Sequence, residues 1–216
     1  MSNRLRAVSR HFLSRPHMLR RILILLASVC CMGVCVAVFD QIRFGTDPCS
    51  VLNLAMSRRL NMDFGTYQLL WNIVLVVIIL SLKEWRRIGL GTLANMTLVG
   101  YAADFSHWVI DRIHPLTEET LLVKSIVFLP FMALFLIAVS FYIAVDLGVA
   151  PYDAIPQIIS GRQHRFRFSQ IRVAWDICAT ILGFLLGGTV GVVTVITGFC
   201  LGPLISAVSQ WLTKFL

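Results

Sequence analysis

From Ile22 to Phe39 the chain runs for 18 residues without a charge, and five further apolar runs follow at about Tyr67–Leu82, Ile88–Ile110, Leu121–Val145, Ile171–Leu186 and Val190–Leu212. A lipid bilayer takes about 20 apolar residues per crossing. Backbone groups in lipid must also find partners within their own segment, which favours helices. The chain therefore reads as an all-α polytopic membrane protein with about six transmembrane helices. Only 14% of its residues are charged, against about 25% in soluble domains. At 216 residues, little is left for a soluble domain.

The run Gly45-Thr46-Asp47-Pro48-Cys49-Ser50 has a weaker copy in Gly148-Val149-Ala150-Pro151-Tyr152-Asp153, 103 residues later. Other anchors keep nearly the same offset. Trp71-Asn72 precedes Trp175-Asp176 by 104, while Gly89, Thr92 and Gly100 precede Gly191, Thr194 and Gly202 by 102. Such an internal period predicts a duplicated membrane unit. The chain divides into a basic cytoplasmic N-terminal arm (1–21), a first membrane repeat (22–110) and a second (121–212). Each repeat includes a short Pro-started segment, Pro48–Leu60 or Pro151–Ser160, the second interrupted by Pro156. Both are too short to cross.

Basic residues gather on the cytoplasmic side of membrane proteins. With both termini cytoplasmic and neither short segment crossing, 14 of the 19 Lys and Arg fall on that side. Each half then has three crossings, so the second is inverted relative to the first. The arm followed by Ile22–Phe39 reads as a retained first helix rather than a cleaved leader. The net charge of +8 belongs to this asymmetry and not to nucleic-acid binding. Five of the six Cys (Cys30, Cys31, Cys35, Cys178, Cys200) lie in apolar runs and none forms a Cys-x-x-Cys pair, so no metal, redox centre or other cofactor is expected. Enzyme signatures such as a nucleophile elbow or a phosphate loop are absent from the sequence, and the chain does not read as an enzyme.

Inverted repeats with broken helices are a recurrent transporter plan, with solute held at helix N-termini between the halves. Gly45 and Gly148 permit sharp breaks, and Pro48 and Pro151 start helices whose free N–H groups carry partial positive charge. Two such ends converging would favour an anionic or carboxylate-bearing solute. The alternative reading of the same segments is as amphipathic helices lying flat on opposite membrane surfaces. Asp176 stands inside a span at a cost of about 2.5–3.5 kcal/mol, and Arg172 lies at the i, i+4 spacing that lets the two pair. Asp176 belongs either to a solute or proton path or to a structural pair with Arg172. The candidate binding residues are Gly45, Asp47, Ser50, Asn72, Gly148, Asp153, Arg172 and Asp176. Asp104 and His107, at i, i+3, could relay a proton, or face water at a span end. Trp71, Trp108, Trp175 and Trp211 could stack on a solute or anchor span ends at the interface.

The second-half run Gly148-Val149-Ala150-Pro151-Tyr152-Asp153-Ala154 is followed by Arg172 to Asp176. Then come Leu186-Gly187-Gly188-Thr189-Val190-Gly191-Val192-Val193-Thr194 and Leu201-Gly202-Pro203-Leu204. Together with Phe44-Gly45-Thr46-Asp47-Pro48, these resemble the YczE branch of the YczE/YyaS/YitT family of bacterial multi-pass membrane proteins, over about residues 22–212. The chain departs from that pattern. Ala150-Pro151-Tyr152-Asp153 stands for the usual Gly-Pro-Arg-Asp, Asp176 for Glu, and Val193 for Gly. The resemblance implies a bacterial inner-membrane protein and names no substrate.

The expected activity is secondary transport, or passive conduction, of a small polar or anionic metabolite through a site between the repeats. The competing reading is a non-transporting scaffold or accessory factor acting through the arm and the basic loop Arg162-Gln163-His164-Arg165-Phe166-Arg167. Besides the bilayer and a solute, Gly-rich spans would permit a homodimer.

Overall fold

The apolar runs become helices whose ends are set by local chemistry. The computed structural model describes residues 17–163 and 165–199. In chain order the helices are α1 (Met18–Ile42), α2 (Pro48–Arg59), α3 (Phe64–Ser81), α4 (Leu90–Ile113), α5 (Leu121–Ala144), α6 (Pro151–Arg162) and α7 (Phe168–Leu185), with short 3-10 turns at Trp85–Arg87 and Leu116–Glu118. Residues 192–199 are helical and start α8. Among the described residues there is no strand. Residues 1–16 of the basic arm and 200–212 of the expected sixth span lie outside the described residues.

Asp47 caps α2, its carboxylate accepting from the Ser50 N–H at 3.2 Å, and Pro48 occupies the first turn, where no N–H is needed. Arg58 and Arg59 close that helix where cations favour the exposed carbonyls. Thr120 caps α5 by accepting from the Val123 N–H. The expected interruption at Pro156 does not occur, and α6 runs through it to Arg162. A proline there removes one hydrogen bond, to the Tyr152 carbonyl, and leaves the rest of the short ladder intact.

Among the described residues four helices, α1, α3, α5 and α7, are long and apolar enough to cross a membrane. Helix α4 has 24 residues, but Asn95, Asp104, His107, Asp111 and Arg112 dilute its apolar content. It packs against α1 and α3, yet Leu93, Phe105 and Trp108 on it stay exposed. Large apolar side chains point outward on the other helices: Val74 and Val77 on α3, Leu122 and Leu129 on α5, Ile181 and Phe184 on α7. An apolar surface this broad is matched by lipid and not by water. The chain is a helical membrane protein.

Inside, α1 packs on α4 and α5, α2 on α7, and α6 against α3 and α7. Small residues set the closest crossings. A Cβ on Gly100 of α4 would lie 2.5 Å from the Gly65 Cα of α3, and one on Gly33 of α1 would lie 2.7 Å from the Ala102 Cβ of α4. Such positions let backbones approach where hydrophobic association alone gives little drive in lipid. Phe39, fully buried, meets Phe135 edge-on at 5.8 Å in the core between α1 and α5.

Candidate functional site

Two loops lead into the Pro-started helices, and each docks on the far half of the chain. Leu147 accepts from the Gly91 N–H at 2.8 Å, and Phe44 accepts from the Val193 N–H at 3.0 Å. Beside the first contact, the Gly89 N–H donates to Thr92 Oγ1 at 3.0 Å; beside the second, the Gly191 N–H donates to Thr194 Oγ1 at 3.3 Å. Gly148 has φ +121° and Gly45 φ +80°, a region that favours glycine. Any Cβ on Gly148 would stand 2.7 Å from the Gly89 N, and one on Gly45 would stand 2.5 Å from the Gly191 N. Close backbone approach thus fixes where α2 and α6 begin.

At those beginnings sits an ionic cluster centred on Arg172 of α7. Its Nη1 donates to Asp153 Oδ1 at 2.5 Å and its Nε to Asp176 Oδ2 at 2.9 Å. Tyr152 Oη donates to Asp176 Oδ1 at 2.8 Å, and the Arg172 guanidinium lies 5.4 Å from the Tyr152 ring centroid. Asp176 is buried, with 4% of its surface exposed. In so dry a place a carboxylate needs both a counter-charge and hydrogen bonds, and here it has each. Asp47, at the start of α2, lies within electrostatic reach of Asp153 and Arg172, and Cys49 within reach of all four charges. Trp71, Trp175 and Cys49 pack around the apolar floor formed by Tyr152, Ile155 and Ala179.

Most of the residues expected from the sequence therefore meet in one place. Asp47, Asp153, Arg172 and Asp176 form the cluster, and Gly45 and Gly148 turn the chain towards it. The i, i+4 pairing of Arg172 with Asp176 is present. Ser50 supplies the N–H that Asp47 accepts. Asn72 is buried on α3, its amide donating to the Gln68 carbonyl at 2.9 Å. Three participants escaped the sequence reading: Tyr152, Cys49 and Asn53, the last fully buried with its amide donating to Cys49 Sγ at 3.5 Å. Their positions at the start of α2 and α6 were the available signal.

Asp104 and His107 share α4 but do not bond each other. Asp104 Oδ2 accepts from the Gly65 N–H at 2.8 Å, where it fixes the start of α3. His107 Nε2 lies 3.3 Å from Asp40 Oδ2, which also takes Arg58 Nη2 at 2.5 Å. Gln41 beside them donates to Asp111 Oδ1 at 2.6 Å. This second polar knot ties the ends of α1, α2 and α4 together, away from Arg172. Among the described residues no group of three or more His, Cys, Asp or Glu is arranged to hold a metal ion.

A family model described as "Family of unknown function (DUF6198)" matches residues 19–210. The chain is also similar to an uncharacterized protein of Haemophilus influenzae, 27% identical over 187 residues, which cover 86% of this chain and 82% of the relative. No solved structure matches.

Proposed function

We propose that this chain, which belongs to the DUF6198 family of unknown function, is a secondary transporter that holds a small polar metabolite at the Arg172 cluster. In this reading residues 22–110 and 121–212 are inverted three-helix repeats in a bacterial inner membrane with both termini cytoplasmic. Helices α2 and α6 are then re-entrant segments whose N-termini meet near the midplane. The motif resemblance to the YczE branch agrees with that placement.

One observation carries the reading: two glycine loops make matching backbone contacts with opposite halves, and the helices they start bring Asp47 and Asp153 to a single half-buried arginine. Broken helices meeting at a charged centre are the arrangement by which membrane transporters hold solutes. The balance of groups alters the expected solute. Two bare helix N-termini would favour an anion, but Asp47 caps α2 and Asp153 lies in the first turn of α6, and with Asp176 they outnumber the one guanidinium. A neutral, zwitterionic or cationic solute fits better than an anion.

The test is flux. Purified protein in proteoliposomes, offered a pooled metabolite mixture and analysed by mass spectrometry, should accumulate at least one polar solute. Asp176→Asn should abolish that accumulation while inserting normally. Full retained flux in the variant would reject the site. The scaffold reading has one observation of its own, the exposed run Arg165, Phe166 and Arg167 between α6 and α7. Charge reversal at Arg165 and Arg167 should leave flux unchanged if transport is the activity.

A further inference from the structure

The groups around Arg172 specify more of the solute than its being polar, given the transport-site reading above, on which this inference rests. Three carboxylates face one guanidinium. Asp153 and Asp176 both bind Arg172, and the Asp47 carboxylate accepts from the Ser50 N–H. With all three ionised the cluster carries two negative charges in excess, part of which the α2 N-terminus offsets at Asp47. In this partly buried cluster such an excess favours a cation.

Unpartnered polar atoms surround the same cluster. Asn53 is fully buried, and its amide reaches towards the start of α2 through Cys49 Sγ, yet one of its polar atoms has no partner. The indole N–H groups of Trp71 and Trp175 are also buried and without an acceptor. Trp175 lies against the Tyr152 ring at 5.6 Å, and Trp71 packs on the same apolar floor. Buried donors left unpaired are costly and rare, and they mark places where another group belongs. These two are 104 residues apart at corresponding places in the chain. A plain cation would leave both indoles unpaired, and a plain anion would add to the negative excess.

We propose that the solute is a small zwitterionic amine, its charged nitrogen set against Asp47 and Asp153 and its carboxylate or carbonyl oxygen accepting from the indole N–H groups of Trp71 and Trp175. Asn53 supplies a further hydrogen bond to the polar end near α2. Tyr152 and Arg172 hold Asp176 in place and so act as positioning residues.

The experiment is calorimetric titration of the full chain in lipid nanodiscs with four probes: alanine and 4-aminobutyrate, which separate their charges differently, and butylammonium and butyrate, which carry one charge each. At least one of the two zwitterions should bind. Butylammonium, which lacks the oxygen that accepts from both indoles, should bind at least about tenfold more weakly. Butyrate should give no saturable heat. The conservative pair Trp71→Phe and Trp175→Phe keeps the rings and removes both donors. It should weaken the zwitterion about tenfold and leave butylammonium unchanged. Butyrate binding more tightly than butylammonium, no binding by any probe, or equal weakening of both ligands in the Trp variants would overturn the inference. The same probes in proteoliposomes separate it from the reading beneath it. Binding as described without accumulation would remove transport and leave the site, whereas accumulation of butyrate alone would leave transport and remove this solute class.

Discussion

The loop at Gly148 docks on Gly89 and Thr92, and the loop at Gly45 docks on Gly191 and Thr194, through backbone bonds of 2.8 and 3.0 Å. The side chains that follow the two loops differ sharply. Tyr152, Asp153, Arg172 and Asp176 form a bonded ionic set. The residues 103 or 104 positions earlier are Cys49, Ser50, Gln68 and Asn72, all uncharged, with Gln68 and Asn72 nevertheless buried. The framework is held by glycine and main chain, which constrain almost no side-chain chemistry. At the paired positions the bonded charges come from α6 and α7 alone, with Asp47 of α2 within electrostatic reach of them. A neutral polar set can sit in a dry interior with few partners, whereas a charged set must be complete.

The largest expected difference lies in those side chains. Arg172→Met strands two carboxylates and should cost about 3 kcal/mol, the low end for breaking a buried ion pair because the guanidinium is partly exposed. Gln68→Met, at the matching place, leaves the backbone carbonyl that accepts from Asn72 intact and should change stability by less than about 1 kcal/mol. Denaturant or thermal melts in mild detergent would compare them, and equal losses would break the contrast. Next come the glycines. Gly45→Ala and Gly148→Ala each force a Cβ into positive φ against main chain, and each should cost about 2 kcal/mol. Similar losses at the two sites would sharpen the claim of a shared framework; a loss at only one would weaken it. Last come the hydroxyls. Thr92→Val and Thr194→Val remove the acceptors for the Gly89 and Gly191 N–H groups, and each should lower stability by about 1 kcal/mol.

Much of this framework was legible in the sequence, because length, apolarity and helix-starting chemistry are local. The run Met18–Ile42 extends the uncharged stretch by a few residues at each end, and Asp47-Pro48 marked the start of α2 within the residue. The pairing of Arg172 with Asp176 was legible too, since i, i+4 spacing places both on one helix face. Bonds between distant segments were not. Nothing in local spacing joins Asp153 to Arg172 across the turn between α6 and α7, or Asp40 to Arg58 and His107 on three different helices. Asp104 reads two ways, as a relay partner of His107 or as a water-facing residue at a span end. Its spacing from His107 suited a relay, but the start of α3 brings the Gly65 N–H within 2.8 Å and takes the carboxylate for structure. Pro156, the sixth residue of α6, misled because a helix tolerates one missing bond so near its start.

The central claim is that Arg172 and its carboxylates form a binding site and not merely a strut. A thermal-shift screen of the full chain against pooled anionic, zwitterionic and cationic metabolites tests it most directly. A ligand at about 100 times its Kd should stabilise the fold by about 2.7 kcal/mol. The account predicts that at least one pool raises the melting temperature of the wild type and that Asp176→Asn, still folded, loses the shift. An undiminished shift in Asp176→Asn would contradict it.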